Sequence, residues 1–274
     1  MNDQVFRLKR LPAKLLESRL QFIEKRPVSH KMRPLCLGQK LLTLISRMFV
    51  GRIEPIVDAD PVFWNRFGFR SDMSVEEFYG VMLDRINEWL NEGYDVSMTA
   101  CDIQGAFTSV PLKKLILAYY EMIKRSKFTE KPFYIVAFVH MWTKNRVVYF
   151  EKTCFQLKSG VPMGDPLSPI SFLIYLDWNS DSADSMMFYF ADDGTIVSRG
   201  RGMEKLGEEV KKSFKSFVGY LGTRDLKCED SKSKFMLLNR TKATAVKHFK
   251  SIMDELKIKM VNEMKILGVM CDWQ

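Results

Sequence analysis

Two adjacent aspartates, Asp192 and Asp193, lie between the runs Phe188-Tyr189-Phe190-Ala191 and Gly194-Thr195-Ile196-Val197. Aromatic and β-branched residues on both sides of an Asp-Asp-Gly turn predict a β-hairpin with carboxylates at its tip. Two carboxylates held side by side repel each other unless protons or a cation neutralise them. A divalent metal is their natural partner.

At 274 residues the chain is long enough for one large domain or two intimate subdomains, and 46% hydrophobic residues suffice for a core without staples. The five cysteines (Cys36, Cys101, Cys154, Cys228, Cys271) are scattered, odd in number and form no Cys-x-x-Cys pair. That pattern argues against a disulfide framework and against a zinc finger, and it fits an intracellular, reducing compartment. No apolar run approaches the roughly 20 residues that span a bilayer, and the N-terminus is too basic and broken for a signal peptide. A soluble chain with no membrane partner is expected.

The charge is uneven. Residues 1 to 53 hold twelve Lys/Arg against three Asp/Glu, which equals the net +9 of the whole chain, while the other 30 basic and 30 acidic residues cancel. A basic region beside a neutral body suits a polyanion, because cations that neutralise phosphates release counterions. On charge alone a solvated basic helix face or arm explains it equally well.

No internal repeat, low-complexity stretch or Gly/Ser/Pro-rich linker interrupts the chain. Leu11, Leu15, Leu16, Leu20 and Ile23 have helical spacing and predict a helix over 11–25; Leu41, Leu42, Leu44, Ile45, Met48 and Phe49 predict another over 39–53. Between them His30-Lys31-Met32-Arg33-Pro34-Leu35 reads as extended, since a residue before proline is biased away from helix. Ser74 with Glu77 forms a capping box that opens a helix running to Leu90, and Asn91-Glu92-Gly93 stops it.

Val96 to Asp102 reads as a core strand ending in an acid. A central antiparallel sheet can set that strand beside the doublet hairpin, so that Asp102 reaches the same metal, although taken by itself capping the next helix is the simpler role for it. The run Gly160-Val161-Pro162-Met163-Gly164-Asp165-Pro166-Leu167-Ser168-Pro169 forces a turn whose backbone can approach a ligand and then starts an apolar helix. Such a loop can seat a sugar-phosphate backbone, and a purely structural turn has much the same composition.

Taken in order, these blocks resemble the palm of a reverse transcriptase, closest in flavour to the non-LTR retroelement and group II intron enzymes. FADD is similar to the family's aromatic-x-Asp-Asp hairpin, CDIQGAF to its first carboxylate motif and GVPMGDPLSP to its template-and-primer loop. Arg33-Pro34-Leu35 and Phe67-Gly68-Phe69-Arg70 resemble fingers motifs, LKCEDSKSKFML the segment after the hairpin, and KILGVMCD the primer-grip hairpin. The likeness runs in order from about residue 27 onward.

The resemblance implies an RNA-directed DNA polymerase that adds dNTPs to a primer 3′-OH. Asp102, Asp192 and Asp193 would be the catalytic carboxylates and would hold two Mg²⁺ ions, with Mn²⁺ able to substitute. It implies nucleotide contacts at Arg33, Lys31, Ile103, Phe107 and Lys232. Template and primer contacts would come from Arg70, Gly160, Pro162, Met163, Gly164, Leu267 and Gly268. Phe107, five residues beyond Asp102, would be the steric gate against a 2′-hydroxyl. Lys232 or Lys234 would protonate pyrophosphate, and the motif does not choose between them.

The implied fold is α+β: an antiparallel palm sheet backed by helices, with fingers at the N-terminal end and no thumb. The expected divisions are a basic helical extension over 1–26, mostly helical fingers and palm entry over 27–95, and palm over 96–274 with a fingers insertion around 112–158. The expected partners are an RNA template, a DNA or RNA primer, and further chains that supply a thumb or a ribonucleoprotein setting. Met163 stands where the family usually has glutamine, and the segment ends at Gln274 just after the primer-grip-like hairpin. Two other functions stay open: an RNA-binding component of a ribonucleoprotein with weak or no catalysis, and an RNA-dependent RNA polymerase. Phe107 and Ala191 oppose the latter, since that family tends to carry an acid and a glycine there.

Overall fold

The computed structural model describes residues 11–24, 32–128, 131–179, 182–229, 232–238 and 243–272. In chain order the first elements are β1 (Glu17–Glu24), β2 (Met32–Gly38), α1 (Lys40–Ala59), α2 (Val75–Asn91), β3 (Asp95–Cys101), α3 (Ala106–Ser109), α4 (Leu112–Arg125) and α5 (Tyr134–Thr143). There follow β4 (Val147–Phe150), β5 (Thr153–Gln156), α6 (Leu167–Tyr175), β6 (Ser185–Phe190), β7 (Asp193–Gly200), α7 (Met203–Thr223), β8 (Lys234–Leu237), α8 (Ala243–Leu256), β9 (Lys259–Met260), β10 (Glu263–Ile266) and β11 (Val269–Asp272). They fall into two compact units: the described residues up to Trp64 with Gly105–Asp177, and Asn65–Gln104 with the described residues from Trp178 onward. The expected 27–95 block is divided after Trp64, because residues 65–95 pack with the second unit, whereas the expected 112–158 block lies within Gly105–Asp177.

In the second unit a five-stranded sheet has the order β6-β7-β3-β8-β9, antiparallel except for the β8–β9 pair. The capping box forms as expected: Ser74 Oγ accepts from Glu77 N at 3.2 Å while Glu77 Oε2 accepts from Ser74 N at 2.7 Å. It starts α2 so that Phe78, Met82, Ile86 and Trp89 share one buried face. That face packs on Val96, Met98, Phe188, Val197 and Met236 of the sheet. Each large side chain buried in this way contributes about 1.5–3 kcal/mol. The other face of the sheet carries small polar residues: Ser198 Oγ lies 2.9 Å from Ser185 Oγ and 3.5 Å from Ser213 Oγ of α7, so the buried hydroxyls satisfy one another. A two-stranded hairpin, β10–β11, completes the unit.

In the first unit a four-stranded sheet has the order β2-β1-β4-β5. The helix expected over 11–25 is replaced by a single 3-10 turn, Ala13–Leu16, and then by strand β1. β1 pairs antiparallel with β2 from Ser18↔Gly38 to Glu24↔Met32 and parallel with β4. These non-local ladders outweigh the helical spacing of the leucines, a common override of local pattern. Pro34 is tolerated because β2 is an edge strand. Helix α1 runs past the expected end at 53 to Ala59, through Pro55, which removes the donor to the Gly51 carbonyl. Stacked Phe49 and Phe138, with ring centroids 3.7 Å apart, and the Tyr119–Ser171 hydroxyl pair at 2.9 Å hold its helices together.

All five cysteines are free. Among the described residues no helix is long and apolar enough to cross a membrane.

Candidate active site

β3 is the middle strand of the five, and its pairing with β7 ends at Cys101↔Gly194. Asp102 follows Cys101 and Asp193 precedes Gly194, so the two acids leave adjacent strands at the same end of the sheet. The hairpin closes at Phe190↔Asp193, which makes Ala191 and Asp192 the two turn residues. This corrects the expected Asp-Asp-Gly turn. Gly194 lies inside β7, where a Cβ would come 2.3 Å from Met187 Cε, so the glycine serves packing and not the bend. The left-handed position of the turn falls on Ala191, at φ 59, the first residue of a two-residue loop where φ > 0 is required. Asp192 is half-buried and Asp193 exposed.

A third strand brings a cation to the acids. Glu229 N donates to the Asp102 carbonyl at 2.8 Å, and Cys228 bridges Ile103, so the turn before β8 is tied to the end of β3. Lys232 on that turn places its Nζ 2.7 Å from Asp102 Oδ2 and 3.8 Å from Glu229 Oε2. Its pKa is raised, first by the hydrogen bond to Asp102 and then by the charges of Asp102, Glu229 and Asp192. Lys232 rather than Lys234 is therefore the lysine in contact with the acids; Lys234 lies within β8, opposite Ala100.

Among the described residues no three His, Cys, Asp or Glu side chains form a metal cage. The donor set nevertheless fits magnesium, which takes one or two carboxylates and completes its shell with water and substrate phosphates. An ammonium already resting on Asp102 marks the place as one that attracts a cation.

The remaining residues of this unit are less central. Ile103 is buried, so its side chain is a core group. Arg70 Nη1 donates back to the Arg66 carbonyl at 3.2 Å. Leu267 and Gly268, at φ 44 and 94, form the tight turn between β10 and β11, and Tyr79 Oη anchors that hairpin by donating to Ile266 O at 2.5 Å.

The first unit gathers a different group. Gly160 N donates to Val110 O at 2.7 Å and Val161 N to Phe107 O at 2.8 Å, which ties the loop to the segment carrying Phe107. Gly160 is at φ 80, and a Cβ there would lie 2.7 Å from Thr108 O, so no other residue fits without a shift. Phe107 is half-buried and stacks on Phe172 at 5.1 Å. Pro162 is buried, and the carbonyl of half-buried Met163 accepts from Cys36 N at 2.7 Å, which joins the loop to the edge of β2. Gly164 is at φ 104, and a Cβ there would lie 3.2 Å from the Cys36 carbonyl oxygen. Arg33 is exposed on β2, opposite Ile23, and Lys31 lies outside the described residues.

Sequence reasoning missed what holds this loop. Buried Asp165 accepts from Trp142 Nε1 at 2.9 Å, Arg146 Nη1 at 3.3 Å and Leu167 N at 3.0 Å, and Arg146 Nη2 reaches Ser18 Oγ at 3.3 Å. Burial lowers the Arg146 pKa while Asp165 opposes the shift. The only signal in the sequence was an acid inside a Gly/Pro-rich loop. Of the twelve cations in residues 1–53, the six that are described (Lys14, Arg19, Arg33, Lys40, Arg47, Arg52) are all exposed.

The family profile described as reverse transcriptase (RNA-dependent DNA polymerase) matches residues 23–271. No curated protein matches the chain. Among solved structures, apo telomerase from Candida tropicalis truncated from its C-terminal domain is similar at TM-score 0.65 and 10% identity, covering 98% of this chain and 57% of that one. Telomerase from Candida tropicalis in complex with a TWJ fragment of telomeric RNA is similar at TM-score 0.66 and 12% identity, covering 98% and 46%. Telomerase from Candida albicans with the same kind of fragment gives TM-score 0.63 and 11% identity, covering 99% and 49%. The chain thus spans about half the length of these telomerase chains, and the likeness at such identities is one of fold: an α+β palm with its sheet backed by helices.

Proposed function

The chain belongs to the reverse transcriptase (RNA-dependent DNA polymerase) family, and on that premise we propose that it copies an RNA template into DNA by joining dNTPs to a primer 3′-hydroxyl. The observation that carries this reading is the convergence of Asp102 and the Asp192 turn on one ammonium at the end of the central strands. The wording of FADD, CDIQGAF and GVPMGDPLSP supports the non-LTR or group II intron type.

Asp102 and Asp192, with Asp193 assisting, would hold two Mg²⁺ ions, which when bound lower the pKa of the attacking hydroxyl and neutralise the triphosphate. The primer oxygen forms a bond to the α-phosphorus, and the bond from that phosphorus to the pyrophosphate oxygen breaks. Lys232 Nζ gives its proton to the departing pyrophosphate. Phe107, which stacks on Phe172, would serve as the steric gate against a ribose 2′-hydroxyl. The exposed cations of residues 11–53 hold template phosphates. A thumb or further chains complete the grip on the duplex.

A second reading is an RNA-binding component of a ribonucleoprotein with weak catalysis. It is favoured by Met163, whose thioether cannot make the polar contact of the family's usual glutamine. Primer extension on an RNA template with dNTPs, then with NTPs, separates the two. DNA synthesis that discriminates against NTPs, and loses discrimination in Phe107→Ala, supports the polymerase; RNA binding without extension supports the second reading.

A further inference from the structure

The hairpin that carries Asp192 has a support outside the sheet. β6 is an edge strand, and the segment from Asn65 to Gly68 runs along its free side. Phe67 N donates to Tyr189 O at 2.9 Å, Tyr189 N donates to Asn65 O at 3.0 Å, and Arg66 bridges Tyr189 in parallel. This strip is firmly anchored. The Asn65 side chain donates to Asn179 Oδ1 at 2.7 Å and to the Met187 carbonyl. Buried Arg66 lays its guanidinium 3.6 Å from the centre of the Tyr189 ring and donates to Trp178 O at 2.7 Å.

The strip ends against the turn. A Cβ on Gly68 would lie 2.1 Å from Ala191 N, and 2.9 Å from both Ala191 Cα and Phe190 C. All three are backbone atoms, so no rotamer change makes room; the turn itself must move. Ala191 is already in the left-handed region, where a non-glycine residue is held only by its surroundings. The next residue is Asp192.

We propose that Gly68 is a positioning residue for Asp192. Its bare backbone is the stop on which the Phe190–Ala191 turn seats, and that seating sets where the Asp192 carboxylate stands relative to Asp102. The FGFR segment thus serves the catalytic turn through its glycine. The proposal rests on the reading of Asp192 as a catalytic carboxylate.

The test compares wild type, Gly68→Ala, Asp192→Ala and a control, Gly80→Ala, whose added Cβ meets nothing within 4 Å. Gly68→Ala should lower the melting temperature by a few degrees yet still fold, keep RNA affinity near that of the control, hold the dNTP KM within about two-fold and lower kcat by about ten-fold or more, since misplacement of about 1 Å can cost 10²-fold. Mn²⁺ binding to the free protein, followed by electron paramagnetic resonance, should weaken in Gly68→Ala as it does in Asp192→Ala. Wild-type kcat with wild-type Mn²⁺ affinity in Gly68→Ala overturns the proposal, as does a loss of RNA affinity in step with kcat. If Gly68→Ala does not fold, Asn65→Ala, which loosens the strip without adding bulk, decides: a kcat lowered about three-fold at constant KM supports the proposal, and an unchanged kcat overturns it. A wild type that binds Mn²⁺ but extends no primer removes the polymerase reading and leaves Mn²⁺ affinity to judge Gly68. A wild type that does neither overturns both.

Discussion

Lys232 Nζ, on the turn before β8, and Asp102 Oδ2, just beyond β3, are 2.7 Å apart, and both side chains stay open to solvent at 53% and 32% exposure. An exposed pair of this kind contributes at most about 1 kcal/mol, so it does little to hold the fold, and in the proposed mechanism it places a proton donor. Lys232→Ala should leave urea stability within about 1 kcal/mol of wild type while slowing single-turnover extension about 10²-fold, the usual loss of a general acid.

The same pair has a pH signature in the metal-free protein. The folded-state pKa of Lys232 is raised above its ordinary 10.5, chiefly by the hydrogen bond to Asp102. Its small stabilisation is therefore fully present below the unfolded pKa and is lost as pH rises through the higher folded value. The stability difference between wild type and Lys232→Ala should be constant from neutral pH to about 10 and vanish above. Urea titrations across that window check it, and a difference that disappears near neutrality contradicts it.

Gly160 should tolerate no side chain. Its positive φ and the Thr108 carbonyl 2.7 Å from a would-be Cβ predict that Gly160→Ala loses about 1–3 kcal/mol. Gly219→Ala in α7, where the added atom meets nothing within 4 Å, should instead gain about 0.5–1 kcal/mol from helix propensity. Chemical denaturation of the two variants gives opposite signs if the loop backbone is as described.

Asp165 is the counter-ion of a buried arginine. Asp165→Ala leaves Arg146 buried and uncompensated, and should cost about 3–5 kcal/mol. The double variant Asp165→Leu with Arg146→Met should recover much of that loss, because replacing both partners by apolar groups removes the stranded charge. A double-mutant cycle in urea measures the coupling; simple additivity would show that the pair is not coupled.

Local signals in the sequence were legible and distant ones were not. The capping box at Ser74 and Glu77 formed as read, because its partners are three residues apart. A strand ending in Asp102 and a hairpin carrying the doublet are compatible with neighbouring places in one antiparallel sheet, the motif likeness favours that pairing, and the register puts both acids at one end of the sheet. Gly194 looks like a turn residue and draws the expected turn one step too late, whereas its missing side chain makes room for Met187. β1 was read as helix because its ladder partners lie in β2 and β4, which spacing within 11–25 cannot reveal. Gly68 stands out in the sequence only as part of the Phe67–Arg70 run, since nothing local shows that its backbone meets Ala191.

The central claim is that Asp102 and Asp192 form the metal-dependent centre of an RNA-directed DNA polymerase. The most direct measurement is single-nucleotide extension of a primer on an RNA template at varied Mg²⁺, for wild type, Asp102→Ala and Asp192→Ala. Extension by the wild type that requires Mg²⁺ and falls by at least about 10³-fold in either variant, with RNA affinity unchanged, is the predicted result. Extension that survives either substitution, or a wild type that binds the template and never extends it, contradicts the account.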